Sequence, residues 1–267
     1  MLGKLIKYDM KTLSRLLILI HVPIIVLAVI ARYLGIERIY SGRIDLLAVL
    51  ILVLCIIYWS FISLFTQAYI AVYTYRNLFT QEGYLTMTLP VKSGTQVLAK
   101  FLSGSLWILI DCLILYASLF IVFSVPELWA DIQKTVPEVL DIFRIGGQNS
   151  LGSSIYLLTL LNAFGNMAFI LGSLTFGHCF SRHRILTAIL GYFGLTLIQQ
   201  LIAGGMAAGI SFRNVQYHNI HGKELPFDVV LGMYHSMFLI IFAIFIIMGI
   251  LCLFFSQYVL KKRLNLD

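Results

Sequence analysis

Long apolar runs separated by short polar segments dominate the chain. Six runs are long enough to cross a hydrocarbon core of about 30 Å, which takes about 20 helical residues. They fall at residues 13–34, 44–73, 95–125, 151–177, 185–208 and 229–260. The runs are continuous and do not alternate, which predicts helices and not barrel strands. Ahead of the first run, Leu2, Leu5, Ile6, Met10, Leu13 and Leu17 recur at helical spacing, with Lys4, Lys7, Lys11 and Arg15 on the other side. This pattern predicts a basic amphipathic helix over 1–12, lying in the interface against anionic head groups. Segment 126–150 is amphipathic too, with Trp129 placed as an interfacial anchor. The expected fold class is all-α integral membrane, with six transmembrane helices and the interfacial helix in a single domain over 1–267.

Composition narrows the class. Of 267 residues, 60% are apolar and 12% charged, against about 25% charged in an ordinary soluble domain. The mean hydropathy is +0.93. A soluble enzyme, a secreted disulfide scaffold and a disordered chain are excluded. Cys55, Cys112, Cys179 and Cys252 lie in or beside apolar runs with no C-x-x-C pair, so they read as isolated buried thiols. No A-x-A-like site closes the first run, so an uncleaved span is expected.

The net charge is +7. The basic residues cluster at the ends of apolar runs, as the positive-inside rule expects, and not as a nucleic-acid footprint. With the N-terminus inside, the inner segments hold Lys4, Lys7, Lys11, Arg15, Arg76, Lys92, Lys100, Arg182, Arg184, Lys261, Lys262 and Arg263. The outer segments hold Arg32, Arg38, Arg43, Lys134, Arg144, Arg213 and Lys223. Both termini are therefore expected in the cytoplasm.

The most distinctive stretch joins the second and third spans, over 74–94. It runs Tyr75-Arg76-Asn77-Leu78-Phe79-Thr80-Gln81-Glu82-Gly83-Tyr84-Leu85-Thr86-Met87-Thr88-Leu89-Pro90. A short helix is predicted over 76–81, turned off at Gly83. Pro90 favours extended backbone at Leu89, and Ser93 with Gln96 spells a capping box for the third span. Such a segment presents aromatic and apolar groups to the cytosol, as a docking loop does.

The six spans, the basic N-terminal helix and the run from Glu82 to Pro90 resemble the permease subunits of bacterial ABC exporters, most nearly the small six-span Gram-positive type. The resemblance implies a coupling helix between spans two and three that sits in a cleft of a separate ABC ATPase subunit. It makes Tyr75, Arg76, Asn77, Leu78, Phe79 and Glu82 coupling residues, with Gly83, Tyr84 and Pro90 in the same loop. It implies a second permease subunit, identical or different, and a bacterial plasma-membrane location. No P-loop G-x-x-x-x-G-K-[ST] occurs in the chain. The resemblance therefore assigns ATP and Mg to the partner, with no cofactor on this chain.

Candidate path residues are polar groups within the spans: Asp111, Ser63, Gln67, Asn162 and Asn166. Ser60 shares a face with Ser63 and Gln67, and Gln199 and Gln200 lie in the fifth span. Asp111 has two readings, a substrate or proton site and a hydrogen-bonded tie between helices. The other polar groups have the same two, path lining and interhelical bonding. His21 and Pro23 mark a kink in the first span. His218, His221 and Glu224 have the residue types of a metal site but sit in an expected loop, and no metal is assigned. Gly205 and Gly209 form a G-x-x-x-G pair that permits close helix approach, within the chain or between copies. Neither G-x-S-x-G nor H-E-x-x-H occurs, which argues against a membrane-embedded hydrolase. The function expected is export of a hydrophobic or amphipathic substrate: a peptide, a drug or a lipid-like molecule. The alternatives are a proton-coupled secondary transporter using Asp111 and a non-transporting sensor or immunity protein.

Overall fold

The computed structural model describes residues 1–42, 46–80, 83, 91–135, 152–180 and 182–263. Among these the chain is helical, with no strand. The elements are α1 (Leu2–Ile30), a π-helical stretch (Ala31–Ile36), α2 (Glu37–Tyr40), α3 (Leu46–Phe79), α4 (Ser93–Phe123), α5 (Pro126–Thr135), α6 (Gly152–His178), α7 (Arg184–His221) and α8 (Phe227–Arg263). Six helical stretches are long and apolar enough to cross a membrane: Leu2–Ile39, Leu46–Phe79, Ser93–Phe123, Tyr156–His178, Arg184–His221 and Val229–Lys262. Their outward surfaces are rich in exposed aliphatic and aromatic side chains, among them Leu19, Phe61, Leu64, Leu201 and Leu251, which is the surface a lipid-facing helix needs.

The helices differ from the expected segments at four places. Residues 1–12 and 13–34 are not separated: α1 runs unbroken through Pro23 to Ile30, and the π-helical stretch continues it. Residues 76–79 do not form a helix of their own, because α3 carries straight on to Phe79; Gln81 lies outside the described residues. The capping box at the third span is absent. Lys92, with extended ψ of 138°, is the N-cap, and Ser93 is already one position inside the helix, with no side-chain cap bond. The fifth span does not stop near 208. Gly204, Gly205 and Gly209 are carried within α7, which ends only at Gly222, in the left-handed region at φ 65°.

The chain divides into two compact units, Met1–Val139 and Leu140–Asp267. In the first, α1 and α4 lie side by side and run the same way: Asp9 meets Lys100, His21 meets Asp111 and Arg32 meets Ser124. The helix α3 runs against both, with Tyr73 at Asp9 and Tyr58 at Ile20. Ala28, Ala31, Ile51, Cys55 and Val122 close the end farther from Asp9.

In the second unit α6 and α8 are likewise parallel, Phe169 stacking on Phe245 and Thr175 bonding Ser256, and α7 runs against α6. The close approaches need glycine. A Cβ on Gly172 would lie 2.8 Å from the sulfur of Cys252, and one on Gly177 would run into the backbone of Arg184 and the side chain of Ala188.

Candidate functional site

The polar groups that matter in the first unit come from a stripe on each of three helices. On α1 the buried positions are Asp9, Leu13, Leu17, His21, Ile24 and Ala28, a spacing of three and four that keeps them on one face. On α4 the same spacing aligns Gln96, Lys100, Ser103, Trp107 and Asp111. From α3 come Thr66, Tyr73 and Thr74. Two polar clusters result, about 18 Å apart along α1 at a rise of about 1.5 Å per residue.

The first cluster is centred on Asp9. Its Oδ1 accepts from the Lys100 ammonium at 2.5 Å and from the Tyr73 hydroxyl at 2.6 Å, and its Oδ2 from the Ser103 hydroxyl at 3.5 Å. The ammonium also stands 4.7 Å above the centre of the Tyr73 ring, a cation–π contact. Asp9 is 6% exposed and Lys100 8%, so this is a buried ion pair held by further hydrogen bonds. By contrast Lys4, Lys7, Lys11 and Arg15 of the same helix are exposed.

The second cluster joins His21, Asp111 and Thr66. His21 Nε2 lies 2.8 Å from Asp111 Oδ1, and His21 Nδ1 lies 2.7 Å from the carbonyl oxygen of Leu17. Thr66 donates to Asp111 Oδ1 at 3.3 Å. His21 is 3% exposed, Asp111 1% and Thr66 0%. Asp111 Oδ2 is fully enclosed and has no hydrogen-bond partner among the described residues. At the far end of the seam Arg32, within the π-helical stretch, donates to Ser124 at 2.9 Å.

The expected site residues are distributed as follows. Asp111 is brought together with His21 and Thr66. Ser63 and Gln67 are half-buried on α3, and Ser60 is exposed, bonded to the carbonyl of Ile56. Asn162 and Asn166 belong to the second unit: the Asn166 amide donates to Asn162 Oδ1 at 2.9 Å, and the Tyr192 hydroxyl donates to Asn166 Oδ1 at 3.2 Å. Of the coupling residues, Arg76 is exposed, Tyr75 and Asn77 half-buried, and Leu78 and Phe79 buried. Tyr75 stacks on Phe79 with ring centres 6.0 Å apart. Gly83 is buried, its N–H donating to the Thr80 carbonyl at 2.8 Å. A Cβ there would sit 2.7 Å from the Leu78 carbonyl carbon, so close approach to backbone, not a left-handed φ, is what calls for glycine. Glu82, Tyr84 and Pro90 lie outside the described residues, as does 136–150 of the outer segment.

His218 and His221 lie in the last turn of α7, not in a loop, and the His221 ring stacks on Tyr217 at 4.4 Å. No group of three or more metal-ligating side chains occurs among the described residues. Gly205 and Gly209 have nothing within reach of an added Cβ, so they serve no close packing among the described residues.

The reading from sequence passed over Asp9, which lies among the lysines of the N-terminal segment, and counted Lys100 only as one of the inner basic residues. A signal was present: one acidic residue on the apolar face of α1, and a polar stripe at 96, 100, 103 and 111 on a helix otherwise apolar. Comparison with protein-family models, with curated proteins and with solved structures found no match.

Proposed function

We propose that this chain is the permease subunit of an ATP-driven ABC exporter, working with a separate ATPase subunit and a second permease subunit in a bacterial plasma membrane. The observation that carries the reading is the form of α3 and of what it is tied to. Its 34 residues make a rod of about 51 Å, longer than a hydrocarbon core of about 30 Å. Its last turns, bearing Tyr75, Arg76 and Asn77, project as a stiff lever. Tyr73, just before that end, is bonded to Asp9, and Asp9 to Lys100. A push on the end of α3 is therefore passed to α1 and α4 by side chains that are already in contact.

In this proposal both termini are cytoplasmic. The first turns of α1 lie at the inner interface, with Lys4, Lys7 and Lys11 turned to anionic head groups. The exposed Arg76 and the half-buried Tyr75 and Asn77 meet the ATPase, whereas the buried Leu78 and Phe79 hold the end of α3 in shape. The substrate class is a hydrophobic or amphipathic molecule, in keeping with helices that carry few charges.

The test is purification in mild detergent and identification of copurifying proteins by mass spectrometry, for the native chain and for Tyr75→Ala/Arg76→Glu. The expected result is a P-loop ATPase that copurifies with the native chain and is lost from the variant, with unchanged helical content. Absence of any ATPase under conditions that keep other membrane complexes intact overturns the proposal. It would leave a proton-coupled transporter using Asp111, or a non-transporting sensor or immunity protein, as the readings to pursue.

A further inference from the structure

The contact between His21 and Asp111 has a property that follows from hydrogen-bond counting. His21 Nδ1 faces the Leu17 carbonyl oxygen at 2.7 Å. A carbonyl only accepts, so Nδ1 carries a hydrogen. The 2.8 Å contact between Nε2 and Asp111 Oδ1 then needs one further proton. It sits on Nε2, facing a carboxylate, or on Oδ1, facing a neutral ring. Both arrangements contain the same single proton, and both leave the pair neutral as a whole. Neutrality is what an interior at membrane depth demands of ionisable groups.

We propose that His21 and Asp111 form a single-proton binding site whose occupancy holds α1 against α4. Removing the proton leaves two acceptors face to face, the Nε2 lone pair and the carboxylate, with a net negative charge. Adding one gives a net positive charge, but the second proton has a place on the unpartnered Oδ2, and Oδ1 still accepts from Nε2. Loss of the proton therefore breaks the direct bond across the α1–α4 seam.

Among the described residues, none with a charged side chain is bonded to the pair. From α3, Thr66 donates to Asp111, and residues 46–75 of that helix contain no acidic or basic side chain. Tyr58 is engaged by the Ile20 carbonyl at 2.9 Å. On α4 the neighbour is Cys112, half-buried. The nearest charged groups along the seam are the mutually paired Asp9 and Lys100 on one side and Arg32 on the other, each about 16–18 Å away. Asp111 Oδ2, enclosed and unpartnered, is a second acceptor position at the same carboxyl. The site is independent of the energy source, since it concerns the seam itself.

The experiment uses the full chain in nanodiscs of phosphatidylcholine and phosphatidylglycerol, isotopically labelled on its histidine ring nitrogens. The His21 signal is assigned by its loss in His21→Gln, and the pH is varied from about 4 to about 10. The expected wild-type spectrum has Nδ1 protonated throughout and a hydrogen-bonded Nε2 at neutral pH, with that bond lost at alkaline pH as the pair gives up its proton. In Asp111→Asn the ring becomes an ordinary Nδ1–H imidazole with the shared-proton signal gone. Thr66→Val keeps it. Spin labels at Leu19→Cys and Leu113→Cys, both exposed, in a chain with its native cysteines replaced, are expected to move apart when the bond is lost. An unprotonated Nδ1, a shared-proton signal that survives Asp111→Asn, a bond unchanged across the pH range, or labels that do not move would each overturn the proposal. The wild-type spectrum decides the first and third points even where Asp111→Asn fails to fold.

Discussion

The two units solve the same packing problem with different chemistry. Each places its first and third long helices side by side and parallel, with the intervening helix running against its neighbour. In the first unit the seam is held by charge and hydrogen bonds: Asp9 with Lys100 and Tyr73, His21 with Asp111 and Thr66, Arg32 with Ser124. In the second the seam is shape. Gly172 admits Cys252, Phe169 stacks on Phe245, and the polar contacts are neutral ones, Thr175 to Ser256 and Asn166 to Asn162 and Tyr192. Lipid offers no hydrophobic drive for helices to associate, so close packing and polar bonds are the means left. A seam of interlocked small residues has one arrangement. A seam of ionisable pairs has as many as its protons and charges allow.

The largest effect expected on this contrast comes from breaking the ion pair from one side. Asp9→Ala strands a buried ammonium and should lower the stability of the protein by about 3–5 kcal/mol, read as a fall in the thermal midpoint of helical signal in detergent. Asp9→Asn with Lys100→Met removes both charges, and most of the loss should be recovered. If the single variant is as stable as the native chain, charge does not hold the first seam.

Next is Gly177→Ala in the second unit. The new Cβ meets backbone, which cannot turn aside, and about 1–3 kcal/mol of destabilisation is expected from overpacking. The same measurement checks it, and a neutral result would mean that α6 and α7 are looser than a shape-held seam requires.

Gly204→Ala is the control on the same unit. Nothing lies near its Cβ position, so stability should be unchanged or raised by up to about 1 kcal/mol through helix propensity. Marked destabilisation would show that a further helix packs on this face of α7. The smallest loss expected is for Ser256→Ala, which removes one neutral bond from a membrane helix pair and should cost about 0.6 kcal/mol. A loss comparable to that of Asp9→Ala would erase the distinction between the units.

Much of the fold was legible in advance because the bilayer imposes a length on every apolar run. The six spans appear near their expected places, and Asp111 stood out because an acid deep in such a run has to be explained. The ends were less legible. The fifth apolar run reads as ending at residue 208, because the segment beyond it is more polar. A helix with no proline before Pro226 nonetheless continues to His221. Residues 76–79 read as a separate element because they are polar and aromatic, whereas the backbone extends α3 through them.

Apolar run length and the distribution of lysine and arginine determined the class of the protein, the number of spans and the candidates within them. Those are local quantities, set by transfer of each segment between water and hydrocarbon. Which buried groups meet was decided only by tertiary structure. Asp9 and Lys100 are 91 residues apart, His21 and Asp111 are 90, and no local rule relates them. The parallel register of α1 and α4 brings both pairs together, because a fully buried charge needs an opposite partner at the same depth.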